Sequence, residues 1–117
     1  MFDHVSIGVS DIKRAGAFYD AVLKPLDITR LSDGETSLGY GEKSPALWVQ
    51  TADRPVKPDM GSGLHFCFTA KSRAAVDAFH AAALKNGGQD NGKPGVRADY
   101  GPKYYACLLY TSPSPRD

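Results

Sequence analysis

The strongest constraint on this fold is an internal repeat. Residues 1–26, MFDHVSIGVSDIKRAGAFYDAVLKPL, and residues 63–88, GLHFCFTAKSRAAVDAFHAAALKNGG, follow one plan at an offset of 61 residues. His4 falls on His65, Asp11 on Ser72, Ala17-Phe18 on Ala78-Phe79, and Leu23-Lys24 on Leu84-Lys85. Each copy opens with a histidine in an alternating run. Val5, Ile7 and Val9 share one face of the first strand, and His4, Ser6 and Gly8 share the other. In the second, Leu64, Phe66 and Phe68 oppose His65, Cys67 and Thr69. A helix follows each run. Asp11 and Ser72 are N-cap types. Ile12, Ala15, Tyr19, Val22 and Leu26 then recur every three or four residues as one apolar stripe. Two copies of a unit that cannot bury its apolar face alone imply two pseudo-symmetric modules sharing a core.

The segments between the copies complete the plan. Strands are expected at 27–31, 36–41 and 46–51, with turns at 32–35 and 42–45. Module one, residues 1–52, thus reads β-α-β-β-β. Residues 53–62 carry Pro55, Pro58 and Gly61 and read as a linker. Module two, residues 63–111, begins with a strand through His65 and a helix over 72–86, C-capped by Gly87-Gly88. The helices should pack through Ile12, Ala15, Tyr19 and Val22, and through Val76, Phe79 and Leu84. His80 is expected in a surface or packing role. Gly92, Pro94 and Gly95 mark 89–101 as a long loop with one brief strand at most, and 104–110 reads as a strand. The tail, 112–117, places prolines at 113 and 115, so it is no central strand. Module two is therefore expected to lack its last strand.

Length and composition narrow the function classes. A chain of 117 residues suits one domain. A net charge of +1 gives no steering toward nucleic acid or anionic membrane. No apolar run approaches the ~20 residues of a membrane span, and no secretory signal opens the chain. Cys67 and Cys107 fall mid-strand and are expected as buried, reduced thiols, which suits a cytoplasmic location. Gly39-x-Gly41 lacks the third glycine and the strand–helix setting of a phosphate loop.

FDHVSIGVSD with AFYDAVLKPL, supported by GLHFCF and GPKYYACLL, resembles the vicinal oxygen chelate superfamily. That group includes glyoxalase I, fosfomycin and bleomycin resistance proteins, and extradiol dioxygenases. The likeness covers residues 1–109. It implies an α+β fold of paired βαβββ modules curled around a metal-centred cup. By resemblance, His4 and His65 are metal ligands for a divalent ion: zinc, nickel, manganese or iron. Two imidazoles and a carboxylate make a facial triad with open positions. The family's third ligand is a glutamate on a last strand, which this sequence lacks, so metal binding is expected to be weak. The ending YTSPSPRD resembles translated adaptor sequence, and the natural chain is expected to continue differently. Ser6, Trp48, Gln50, Cys67 and Tyr104 are candidates to line the cup.

The resemblance implies a metal-dependent lyase, isomerase or dioxygenase acting on a small substrate with vicinal oxygens. The alternatives are a metal-free small-molecule or drug-binding (resistance) protein of the same fold, and a non-functional fragment. The expected partner is a small molecule, with a homodimer left open.

Overall fold

The computed structural model describes residues 1–55, 57, 63–101 and 103–110. Alternating β-branched residues make β1, Val5–Val9. The Asp11 carboxylate then accepts the Arg14 amide at 3.1 Å and starts α1, Ile12–Leu23. The helix tightens into a 3₁₀ turn at Lys24–Leu26, because Pro25 has no amide to continue the α pattern. Asp27, at φ 61°, closes that turn by donating its amide to the Lys24 carbonyl at 2.9 Å. Three strands follow: β2 (Thr29–Asp33), β3 (Ser37–Gly41) and β4 (Leu47–Thr51). They form one sheet in the order β1-β4-β3-β2, with β1 parallel to β4 and the other pairs antiparallel.

Module two supplies α2, Arg73–Lys85, capped by Ser72, whose hydroxyl accepts the Ala75 amide at 3.1 Å. Gly87 takes φ 103° and lets the Gly88 amide reach the Ala83 carbonyl at 2.7 Å, as a C-terminal cap requires. β5 (Gln89–Val96) and β6 (Tyr105–Tyr110) pair antiparallel as a second sheet. Ile7, Val9, Leu38, Tyr40, Leu47 and Val49 bury one face of the first sheet against Ala15, Phe18, Tyr19 and Val22 of α1. Ala83 brings α2 into the same core, and Lys71 pairs with Asp27 at 3.0 Å between the modules.

Several expectations need correction. The run 63–70 joins no ladder with any described strand, although it was expected as a strand. The cause is topological. Among the described residues, β1 lies at a sheet edge and owes its pairing to β4 alone. In chain order β5 and β6 stand where β2 and β3 stand in module one. No described strand stands where β4 does, so 63–70 has no equivalent partner among the described residues. The consequence is exposure: Phe66 is 46% exposed and Leu64 62%, whereas Ile7 and Val9 are 6% and 0%.

Residues 89–96 form a full strand rather than a loop. Register shifts between Asp90 and Gly92 and between Gly92 and Gly95 absorb the glycines and Pro94. Leu84 is exposed rather than packed, while Val76 and Phe79 are partly buried as expected. Cys67 is exposed and Cys107 partly buried; both are free thiols. His80 is buried in a packing role, with Nε2 2.9 Å from Asp90 Oδ1, and so ties α2 to β5.

Candidate functional site

The helix covers one face of the four-stranded sheet and leaves the other open. Register places three rows of residues across that open face. One row runs Ser6–Trp48–Gly39–Ser32, through the pairs Ser6↔Trp48, Gly39↔Trp48 and Ser32↔Gly39. The second holds Gly8, Gln50 and Ser37. The third holds Thr29 opposite Gly41, with Ala46 and His4 one step before β4 and β1. The only ionisable side chain in these rows is the His4 imidazole. Its Nδ1 lies 2.8 Å from Asp3 Oδ1, on an exposed stretch.

The sheet itself is held from the opposite side. The buried Tyr40 hydroxyl donates to Asp20 Oδ1 at 2.9 Å, with the Gly16 carbonyl 3.3 Å away. Arg30 grips the same carboxylate through Nε at 3.1 Å and Nη2 at 2.8 Å, and reaches Asp33 at 3.2 Å. Burial, then the Asp20 carboxylate, pushes the Tyr40 phenol well above its ordinary range. Burial does the same to Tyr19, reinforced by Tyr40. Neither tyrosine is available as an acid or base near neutral pH. They are framework residues that fix β3, and through it the open face, against α1.

The candidate residues fall into two groups. Ser6, Trp48 and Gln50 come together on the open face with His4 beside them. Cys67 and Tyr104 come together in module two, Sγ and Oη lying 4.0 Å apart, and the Tyr100 ring sits tilted at 44° to that of Tyr104, centroids 5.2 Å apart. The Tyr104 phenol is pushed up, chiefly by that contact with Cys67. His65 lies on the segment outside both sheets, its Nδ1 3.1 Å from the Gly63 carbonyl. Sequence reasoning passed over Asp3 and Gly39. The signal for Gly39 was present: Gly39 and Gly41 alternate on one strand face, and a hairpin register sets that face against Trp48.

A divalent metal needs more than this arrangement supplies. Among the described residues no group of three or more His, Cys, Asp or Glu side chains could hold an ion. Two imidazoles without a carboxylate leave the cation's charge uncompensated. The described residues therefore do not complete a metal site.

A βαβββ sheet with its helix on one face and an open, nearly uncharged opposite face, followed by a second helix and a two-stranded sheet, defines an α+β class of two related modules. The model of the Glyoxalase/Bleomycin resistance protein/Dioxygenase superfamily matches residues 1–114, and the chain belongs to that superfamily. Among solved structures, a glyoxalase/bleomycin resistance protein from Albidiferax ferrireducens T118 is 31% identical, with a TM-score of 0.81 over 99% of this chain and 93% of that one. A glyoxalase-related enzyme from Fulvimarina pelagi shares the fold at a TM-score of 0.66 and 10% identity, over 99% of this chain and 83% of that one. No curated protein matches the chain. No helix among the described residues is long and apolar enough to cross a membrane.

Proposed function

We propose that this protein binds a small molecule on the open face of its four-stranded sheet, with Ser6, Trp48 and Gln50 as contact residues. One observation supports this above the others. An extended sheet face carries an indole, hydroxyls and an amide in register, and neither helix packs on it. Such a surface combines apolar area with a few polar groups that fix orientation, as ligand sites do. Cys67 and Tyr104 would extend the wall from module two. The test is calorimetric binding of a small-molecule library, counter-screened with Ser6→Ala and Gln50→Ala. Hits that ignore both substitutions would place the ligand elsewhere.

A second reading is a metal-dependent enzyme acting on vicinal oxygens, of the lyase, isomerase or dioxygenase type, with His4 and His65 as ligands. It is favoured by the position of His4 at the opening of the same face. With Nδ1 bonded to Asp3, Nε2 is the nitrogen left to coordinate. Titration with Zn²⁺, Ni²⁺, Mn²⁺ and Fe²⁺ tests it. Weak binding that His4→Ala and His65→Ala each abolish supports the pair. Binding indifferent to both substitutions removes it.

A further inference from the structure

The chain has two Asn-Gly steps: Asn86-Gly87 closes α2, and Asn91-Gly92 lies inside β5. Such a step can react with itself. Glycine has no Cβ to crowd the approach, so its amide nitrogen can reach the side-chain carbonyl carbon of the asparagine before it. Both asparagines are exposed, so water reaches each of them. As dipeptides the two steps are equivalent. The fold holds them differently.

Asn86 is tied through both side chain and backbone. Its Nδ2 donates to the Ala82 carbonyl at 2.7 Å, and its own amide shares the Ala82 and Ala83 carbonyls at 3.1 and 3.2 Å. The Gly88 amide, 2.7 Å from the Ala83 carbonyl, fixes the glycine pair behind it. At ψ 22° the Gly87 nitrogen is turned away from the Asn86 side chain. Ring closure there would require the C-terminal cap of α2 to open. Asn91 is the opposite case. Asp90 pairs with Leu109 and Gly92 with Leu108, so Asn91 is the extra residue of a bulge and has no cross-strand partner in that register. Among the described residues, no hydrogen bond holds its side chain.

A carboxylate stands at the reacting nitrogen. Asp90 Oδ1 accepts the Gly92 N–H at 3.0 Å, and His80 Nε2 lies 2.9 Å from the same oxygen. We propose that Asn91-Gly92 is a self-modification site, at which β5 converts its own asparagine through a succinimide to aspartate or isoaspartate, while Asn86-Gly87 stays intact. The Gly92 nitrogen gives its proton to Asp90, bonds to Asn91 Cγ and displaces Nδ2. That proton returns through water to Nδ2, which leaves as ammonia. One water then opens the ring. Breaking the new bond to Cγ gives aspartate; breaking the original peptide bond gives isoaspartate, with the chain rerouted through the side chain. Water is the only co-reactant. Either product adds a carboxylate beside Asp90, and one added negative charge takes the formal net charge from +1 to zero. The change falls on the β5–β6 sheet and leaves the first sheet as it is.

The experiment ages the intact protein at pH 8 and 37 °C, quenches samples in acid, cuts them with pepsin and sequences the peptides spanning 86–97 by mass spectrometry. A parallel sample in urea, where the fold holds neither step, gives the intrinsic rates, and there the two steps should convert comparably. In the folded protein Asn91 should exchange its amide for a carboxyl at least tenfold faster than Asn86. Isoaspartyl methyltransferase should label part of the product, at position 91. Asn91→Gln, whose longer side chain forms no succinimide, should leave 86–97 unchanged over the same interval, with circular dichroism confirming the fold. Equal rates at the two steps in the folded protein, faster reaction at Asn86, or conversion at Asn86 in the Asn91→Gln variant overturns the proposal. So does an Asn91 that survives in the folded protein for ten times the interval that converts it in urea, which would mean that the β5–β6 ladder holds the bulge as firmly as the helix cap holds Asn86.

Discussion

At the residue scale, Asp20 shows how much of a fold can hang on one carboxylate. It accepts from Tyr40 and, in a bidentate grip, from Arg30, and so ties α1 to β2 and β3. Tyr40→Phe removes one buried hydrogen bond to a charged group, and about 1.5–3 kcal/mol should be lost in urea unfolding at pH 7. Asp20→Ala strands both partners and should cost more. The phenols also set an alkaline limit. A group whose folded pKa is raised lends stability that is complete below its unfolded value and is lost as pH climbs toward the folded one. For Tyr19 and Tyr40 that loss begins near pH 10. Stability measured from pH 8 to 12 should therefore fall above about 10, and Tyr40→Phe should flatten the fall. None of this network was legible in the sequence. Asp20 and Tyr40 read as a helix residue and a strand residue, and nothing in either pattern says that they meet.

At the element scale, legibility followed the partner each element needs. α2 was readable to within a residue and α1 at its start, though its stripe ran on into the 3₁₀ turn at Lys24–Leu26, because caps and a 3.6-residue stripe are local properties. β1, β3 and β4 were as clear, since each alternates and finds a neighbour. Residues 63–70 alternate just as well, yet pairing is not a local property, and no described strand pairs with them. β5 failed in the other direction: Gly92, Pro94 and Gly95 signal a loop, and pairing with β6 overrides them through bulges. On α2, Phe79 meets Phe68 at 6.3 Å between ring centroids but is only partly buried. Full burial would put Phe79→Ala at about 3–5 kcal/mol; partial burial lowers the expectation to about 2 kcal/mol, measurable by denaturant melts. Further along α2, His80 holds Asp90, whose carboxylate is drawn below its usual range, first by the Gly92 amide and then by His80. A depressed carboxylate lends stability above its unfolded pKa, near 4 by the usual value, and loses it as pH falls through the folded one. Asp90→Asn should thus destabilise the protein at pH 6 and matter little at pH 2, in paired thermal melts.

At the scale of the whole molecule, the described residues of the two modules are unequally packed. Module one closes its sheet and fills the space under it: Val9, Leu23, Tyr40 and Val49 are fully buried. Module two leans on that core through Ala83 and the α1–α2 contact, while Leu64 and Phe66 stand in solvent on a segment with no described ladder partner. The histidine shared by both copies was legible as a repeat. Its surroundings were not, because His4 stands one step before a strand paired with β4, and His65 stands on a run that joins no ladder with a described strand. An extended run that exposes large apolar side chains and joins no ladder with a described strand is a template for another chain. Two consequences separate cleanly in experiment. In hydrogen exchange, amides of 65–68 should exchange orders of magnitude faster than those of β1, since no ladder with a described strand has to break there. In sizing chromatography, the protein should self-associate with rising concentration, and Leu64→Lys with Phe66→Lys should suppress this. The double substitution removes exposed apolar surface and adds the charge that natural edge strands use against pairing, and it touches neither the module-one core nor Trp48. Slow exchange at 65–68 in the dilute monomer would show that another part of the chain already pairs there. Self-association that ignores both lysines would place the contact on a different surface.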